Sequence, residues 1–196
     1  MKYIISTLGC KVNQYETQAM EGFLNERGFE RAVPGEIADA VIVNTCAVTA
    51  ESGRKSRQTI RRLRDENPGA VLAVCGCYSQ IEPDAVSVLG ADVIFGAADR
   101  EKLVDAVVRA CEAGEKTRDI DEPFKRREIE RLPAGAVDHR TRAMLKIQDG
   151  CAVCHARRPQ PRRQDWTPRA TAKSSSPASR SPPTAWICPE SPALPT

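Results

Sequence analysis

The sequence predicts an α/β fold, an open parallel sheet with flanking helices joined by right-handed crossovers. Three observations predict it. Short apolar, β-branched runs recur along the first 115 residues, segments of helical spacing stand between them, and glycine or proline punctuates the joins. Lys2–Leu8 is the first strand, and Tyr15–Arg27 follows with Met20, Phe23 and Leu24 at helical spacing and Gly28 as its stop. Ala40–Asn44 is a continuous apolar run of the kind that parallel strands need when both faces are covered. A long helix over Ala50–Glu66 ends before Pro68. Ala70–Cys75 is a second buried strand, Pro83–Leu89 a short helix, Asp92–Phe95 a strand, and Arg100–Ala113 a helix ending at Gly114.

These elements place a first domain at residues 1–115. Residues 116–139 are charged and poorly periodic and read as a linker. Residues 140–155 read as the start of a second domain, with Arg142–Gln148 alternating like a strand. The composition then changes. Residues 156–196 hold seven Lys/Arg against Asp165 and Glu190, whereas residues 1–155 hold 22 Lys/Arg against 24 Asp/Glu. The net charge of +3 therefore belongs to the tail, and a basic nucleic-acid surface does not follow from the total. Nine of the 14 prolines lie in that tail, with only Ile187 and Leu194 as aliphatic material, so it reads as disordered.

No run approaches the ~20 apolar residues of a membrane span, and the apolar start is too short for a secretory signal. The expectation is a cytoplasmic chain with no membrane partner. In a reducing compartment the eight cysteines are metal ligands or buried thiols before they are disulfides. No phosphate-binding glycine pattern is present, and His139 and His155 both lie outside the first domain, which argues against a Ser-His-Asp or Cys-His nucleophile there.

Three cysteines share one position relative to the strands. Cys10 follows the first, Cys46 follows Ala40–Asn44, and Cys77 follows Ala70–Cys75. The carboxyl ends of parallel strands lie at one edge, where ligands bind, so three distant thiols are expected to converge there. Gly9 and Gly76, each one residue before its cysteine, allow a sharp exit from the strand. Three soft ligands without a fourth cysteine or a histidine favour an iron–sulfur cluster with one open iron over a closed zinc site. Three ordinary buried thiols are the plainer reading. Cys75 and Cys111 lie among apolar neighbours and read as core, and Cys188 lies in the tail.

Thr-Leu-Gly-Cys-Lys-Val-Asn-Gln-Tyr-Glu-Thr at 7–17, Asn-Thr-Cys-Ala-Val-Thr at 44–49 and Gly-Cys-Tyr-Ser-Gln at 76–80 resemble the amino-terminal domain of the radical-SAM methylthiotransferases. The Lys-Val-Asn-Gln form is most similar to the branch that modifies N6-threonylcarbamoyladenosine beside the tRNA anticodon. The resemblance runs from Met1 to about Cys151. It implies that Cys10, Cys46 and Cys77 hold an auxiliary [4Fe–4S] cluster that delivers sulfur. It also implies that Cys151, after Lys146-Ile147-Gln148-Asp149-Gly150, is the first ligand of a second [4Fe–4S] cluster that binds S-adenosyl-L-methionine. The implied reaction is sulfur and methyl transfer to C2 of the modified adenine at tRNA position 37, with tRNA and an electron donor as partners.

The pattern then breaks. The family's Cys-x3-Cys-x2-Cys motif would put cysteines at 155 and 158, where this chain has His155 and Arg158, with Cys154 one place early. Serine codons beginning T-C, read from the third base of the preceding codon, become N-T-C and encode only Phe, Leu, Ile or Val. The positions opposite Ser174, Ser175, Ser176, Ser179 and Ser181 are then apolar, as in a strand. The expectation is an insertion or deletion between about Cys151 and Gln164, and hence a truncated, inactive copy with an out-of-frame tail. A genuine disordered tail that binds RNA or a partner stays open. So does the basic run Arg54, Lys55, Arg57, Arg61, Arg62 and Arg64, which fits tRNA phosphates or a solvated helix face. A second function class also stands beside the enzyme: a non-catalytic α/β module holding zinc or an iron–sulfur cluster for a partner.

Overall fold

In the computed structural model, residues 1–33 and 35–120, together with 122, 130, 132 and 133, are described. The linker's remaining residues, the second-domain start at 140–155 with Cys151, and the tail at 156–196 lie outside them.

Six strands form one sheet, every neighbouring pair parallel, in the order β2-β1-β3-β4-β5-β6. They are β1 (Lys2–Thr7), β2 (Glu30–Arg31), β3 (Ala40–Thr45), β4 (Val71–Gly76), β5 (Val93–Phe95) and β6 (Thr117–Asp119). The helices are α1 (Lys11–Glu26), α2 (Ala50–Glu66), α3 (Cys77–Ile81), α4 (Pro83–Val88) and α5 (Arg100–Ala113). The expected open parallel α/β sheet is therefore what the chain forms.

Strand alternation divides the core into two layers. On one face Ile5, Ala40, Ile42, Ala73 and Cys75 meet Met20 and Leu24 of α1 and Leu103 and Val107 of α5. On the other, Val41, Val43, Leu72 and Val74 meet Ile60 and Leu63 of α2 and Val86 of α4. All six residues of β3 are buried, because this central strand is covered on both faces.

This layering fixes the relative hand of the crossovers. The path β1–α1–β2 and the path β5–α5–β6 run toward opposite edges, yet α1 and α5 share one face. Parallel strands joined in opposite directions over the same face have opposite hands. The crossovers through α2 and through α3 and α4 agree with α1; the last, through α5, is the reverse of the hand expected throughout.

Four elements differ from the sequence reading. α1 begins at Lys11 rather than Tyr15, so its first turn carries the Lys-Val-Asn-Gln segment. α3 follows β4 directly, and the two-residue β2 and three-residue β6 extend the sheet at both sides. β6 takes up residues read as linker. Farther along, Leu132 packs on the α1/α5 core layer, its carbonyl accepts from Tyr15 Oη at 3.0 Å, and Glu130 Oε1 accepts from the Arg100 backbone N–H at 2.6 Å. Residues 130 and 132 thus seat against the first turns of α1 and α5.

Candidate functional site

Each of the three cysteines stands where a strand gives way to a helix. Cys10 is the N-cap of α1, Cys46 opens the β3–α2 connection, and Cys77 is the first residue of α3. The register orders them along one edge. Thr45 pairs with Gly76, so the next step of that register runs from Cys46 to Cys77; Thr7 pairs with Asn44, and two steps on are Gly9 and Cys46. Neighbouring strands lie about 4.8 Å apart. The winding of the sheet reverses between β1 and β3, the place where open α/β sheets receive ligands. Cys10 and Cys46 flank that crevice.

Two glycines make the approach possible. Gly9 has φ +103°, and a Cβ there would lie 2.6 Å from Cys46 Cβ and 2.8 Å from its sulfur. Gly76 has φ +97°, and a Cβ there would lie 2.4 Å from the Thr45 carbonyl oxygen. Both positions need a left-handed backbone and leave no room for a side chain.

Uncharged side chains tie the three loops together. Asn13 Nδ2 donates to the carbonyls of Leu8 at 2.8 Å and Thr45 at 2.9 Å, which links the Cys10 loop to the Cys46 loop. Asn44 Nδ2 donates to the Asn13 carbonyl at 3.0 Å. Ser56 on α2 accepts from the Cys46 N–H and donates to the Cys46 carbonyl at 2.9 Å. Thr45 Oγ1 donates to the Cys75 carbonyl and accepts from the Ser79 N–H, joining the Cys46 loop to α3. Asn13, Asn44, Thr45, Ser56 and Ser79 are all buried. Asn13, Asn44, Thr45 and Ser79 fall within the segments at 7–17, 44–49 and 76–80, where only the cysteines are assigned a role as ligands, and Ser56 lies outside them; Asn13 falls on the buried stripe that continues through Thr17, Met20 and Leu24.

The cysteines differ in surroundings. Cys10 is exposed, its sulfur 3.5 Å from Asn13 Oδ1; Cys46 is buried and Cys77 half-buried. Among the described residues no three His, Cys, Asp or Glu side chains stand close enough to hold a single metal ion. The strand ends gather the three thiols at one edge without closing them around a point. Cys75 lies inside β4 and in the α1/α5 core layer, where burial pushes its thiol up to about 11. Cys111 is likewise pushed up to about 11, first by burial and then by Asp39 and Glu112. Both remain protonated at neutral pH and are poor ligands.

Behind the crevice Glu16 Oε2 accepts from Arg100 Nη2 at 2.7 Å, an ion pair sealed between α1 and α5. Arg100 also donates to the Gly96 carbonyl at 3.1 Å, which fixes the exit of β5. A cavity of about 260 Å³ among Arg64, Pro68, Asp92 and Glu115 opens at the opposite, amino edge, away from the cysteines.

Residues 2–96 match the model of the uncharacterized protein family UPF0004. The threonylcarbamoyladenosine tRNA methylthiotransferase MtaB of Bacillus subtilis is 42% identical over 146 residues, covering 74% of this chain and 32% of its own length. The enzyme of the same name from Aquifex aeolicus is 31% identical, covering 77% of this chain and 37% of its own length. The tRNA-2-methylthio-N(6)-dimethylallyladenosine synthase of Sphingopyxis alaskensis is 32% identical, covering 75% of this chain and 33% of its own. The chain spans about a third of the length of these relatives.

Proposed function

Because the chain carries a UPF0004 domain and is, over about three quarters of its length, a segment of tRNA methylthiotransferase type, we propose that it serves sulfur and methyl transfer to tRNA. The proposed target is C2 of N6-threonylcarbamoyladenosine at position 37, following the name of the relative that is 42% identical. The observation that carries the site is the register that aligns Gly9, Cys46 and Cys77 beside Cys10 at the reversal point of the sheet.

On this reading Cys10, Cys46 and Cys77 hold an auxiliary [4Fe–4S] cluster, a donor set of soft thiolates that suits iron–sulfur chemistry. A polynuclear cluster spans a wider gap than a single ion, which suits thiols gathered at an edge rather than around a point. When bound, the cluster supplies sulfur. The chain's own residues do the rest: Asn13, Thr45 and Ser56 fix the three loops, Gly9 lets its backbone pass against the Cys46 thiol, Gly76 lets its backbone pass against Thr45, and buried Cys75 is kept out of the ligand set.

The remaining cofactor chemistry is assigned to Cys151, as first ligand of a second [4Fe–4S] cluster that uses S-adenosyl-L-methionine and an electron donor. His155 and Arg158 stand where two further cysteines would complete that set, so we assign this chain no methylthiotransferase turnover of its own. The same break favours a second reading, a non-catalytic α/β module holding zinc or a cluster for a partner.

Anaerobic reconstitution with iron and sulfide tests the site. The expected product is brown, holds about four irons per chain, and loses them in Cys10→Ala, Cys46→Ala and Cys77→Ala but not in Cys75→Ala. Full iron retention in Cys46→Ala refutes the ligand set. A colourless chain with stoichiometric zinc favours the second reading. Methylthio-adenosine or 5′-deoxyadenosine formed from S-adenosyl-L-methionine, dithionite and modified tRNA would overturn the assignment of inactivity.

A further inference from the structure

The six basic residues of α2 divide by what they touch. Two belong to the fold. Arg57 lies over the Tyr78 ring, 5.7 Å from its centre, and donates to Tyr78 Oη at 3.3 Å. Arg64 donates to the carbonyls of Ala70 and Gly90 and to Asp92. The other four, Arg54, Lys55, Arg61 and Arg62, are exposed, because Gly53, Ser56, Ile60 and Leu63 supply the stripe that faces the sheet.

Among the described residues those four charges make no buried contact. Arg54 and Lys55 share Glu51, and Arg62 meets Glu66, in pairs whose members are all more than half exposed. Such pairs contribute little stability and exchange readily for other anions. Arg61 makes no ion pair among the described residues. Between them stand exposed Gln58 and partly exposed Thr59, polar groups able to donate to phosphate oxygens. No exposed aromatic ring lies on this helix, so the face suits a sugar-phosphate backbone and not base stacking.

Position adds to chemistry. α2 starts at Ala50, four residues after Cys46, so its first turn lies at the cysteine edge. At 1.5 Å per residue the stripe from Arg54 to Arg62 runs about 12 Å away from that edge. We propose that the outward face of α2, through Arg54, Lys55, Arg61 and Arg62, is an RNA-backbone contact surface that lays a strand alongside the cysteine crevice. The choice of RNA rests on the tRNA reading above; the surface itself rests on the sorting of the six cations.

The test is tRNA binding by the full chain at several salt concentrations, since each phosphate contact adds roughly 0.7–0.9 to the slope of log affinity against log salt. The triple variant Lys55→Ala/Arg61→Ala/Arg62→Ala is expected to bind at least ~10-fold more weakly and to lose about two units of slope. Glu51→Gln/Glu66→Gln, which frees Arg54 and Arg62, is expected to bind more tightly. Basic residues in 156–196 are common to every variant, so the difference in slope is the readout. Unchanged circular dichroism of the triple variant excludes misfolding as the cause. Equal slopes for wild type and triple variant overturn the proposal. So does loss of binding to anionic vesicles with tRNA binding retained. Iron content separates this outcome from the function: intact cluster with equal slopes removes only the surface, and a changed slope without a cluster removes only the enzyme reading.

Discussion

At the carboxyl edge of the sheet the cysteine loops are joined by uncharged side chains, whereas the amino edge is joined by ions. Asn13, Thr45, Ser56 and Ser79 make the first set of ties. Arg64, Lys116 and Asp92 make the second, with Lys2 paired to Glu36 and its backbone N–H donating to Asp39 at 2.6 Å. Amides and hydroxyls can fix a loop without adding charge beside thiols whose reactivity depends on ionisation. The ion pairs of the amino edge carry a dependence on pH and salt that the amide and hydroxyl ties lack. The difference separates an edge shaped for a ligand from an edge shaped for strength.

The largest effect that would break this contrast is Gly76→Ala. Its Cβ would strike the Thr45 carbonyl in addition to the left-handed strain, so a loss of at least ~3 kcal/mol is expected by urea denaturation. Gly90→Ala at the amino edge has the same sign of φ, but its nearest foreign atom lies 3.8 Å away. That substitution should cost only about 1–2 kcal/mol, the strain alone. Equal costs would remove the claim that the carboxyl edge is uniquely tight.

Next in size is Arg100→Met, which removes the guanidinium paired with Glu16 in the α1/α5 layer; about 3 kcal/mol should be lost. Glu16→Gln with Arg100→Met should recover part of it, because both charges of the buried pair are then removed together. Asn13→Ala removes the buried amide that donates to the Leu8 and Thr45 carbonyls and should cost about 1–3 kcal/mol. Its cost should not vary with salt.

The smallest effect is Asp92→Asn. Burial raises the Asp92 pKa, but the Leu72 N–H and then Arg64 outweigh it and hold the carboxyl below its ordinary value. A folded-state pKa below the unfolded ~3.9 gives stability that is fully present above about pH 5 and lost as pH falls through the folded value. The variant should therefore be less stable than wild type at pH 7, by under ~1 kcal/mol given solvent screening, and the difference should be smaller near pH 2. A cost that is the same at both pH values would sink the ionic account of this edge.

The parts of the fold legible in the sequence were those whose residues repeat a rule. Ala40–Thr45 and Val71–Gly76 are buried on both faces and read as near-continuous apolar runs. Glu30–Arg31 and Thr117–Asp119 carry no such signal, because short strands at the sides of the sheet are set by pairing and not by burial. The start of α1 was hidden for a related reason: Lys11, Asn13 and Gln14 look like loop, yet Asn13 is buried by its bonds to two carbonyls. The cysteines were legible one by one from their place after strands. What binds their loops together was not, since Asn13 with Thr45 and Ser56 with Cys46 meet only through the register. Glu16 and Arg100 are 84 residues apart, and no local pattern joins them.

The seating of Glu130 and Leu132 on the first turns of α5 and α1 has a consequence for whatever the chain carries next. A tethered group explores a volume set by its distance from the anchor, and its effective concentration at a target falls as that distance grows. Here the anchor point is not the end of β6 but Leu132, already at the cysteine edge. The described chain is thus brought back to the cysteine edge at Leu132, and Tyr15→Phe, which removes one clasp of that anchor, should raise hydrogen exchange at Leu132 without touching a thiol.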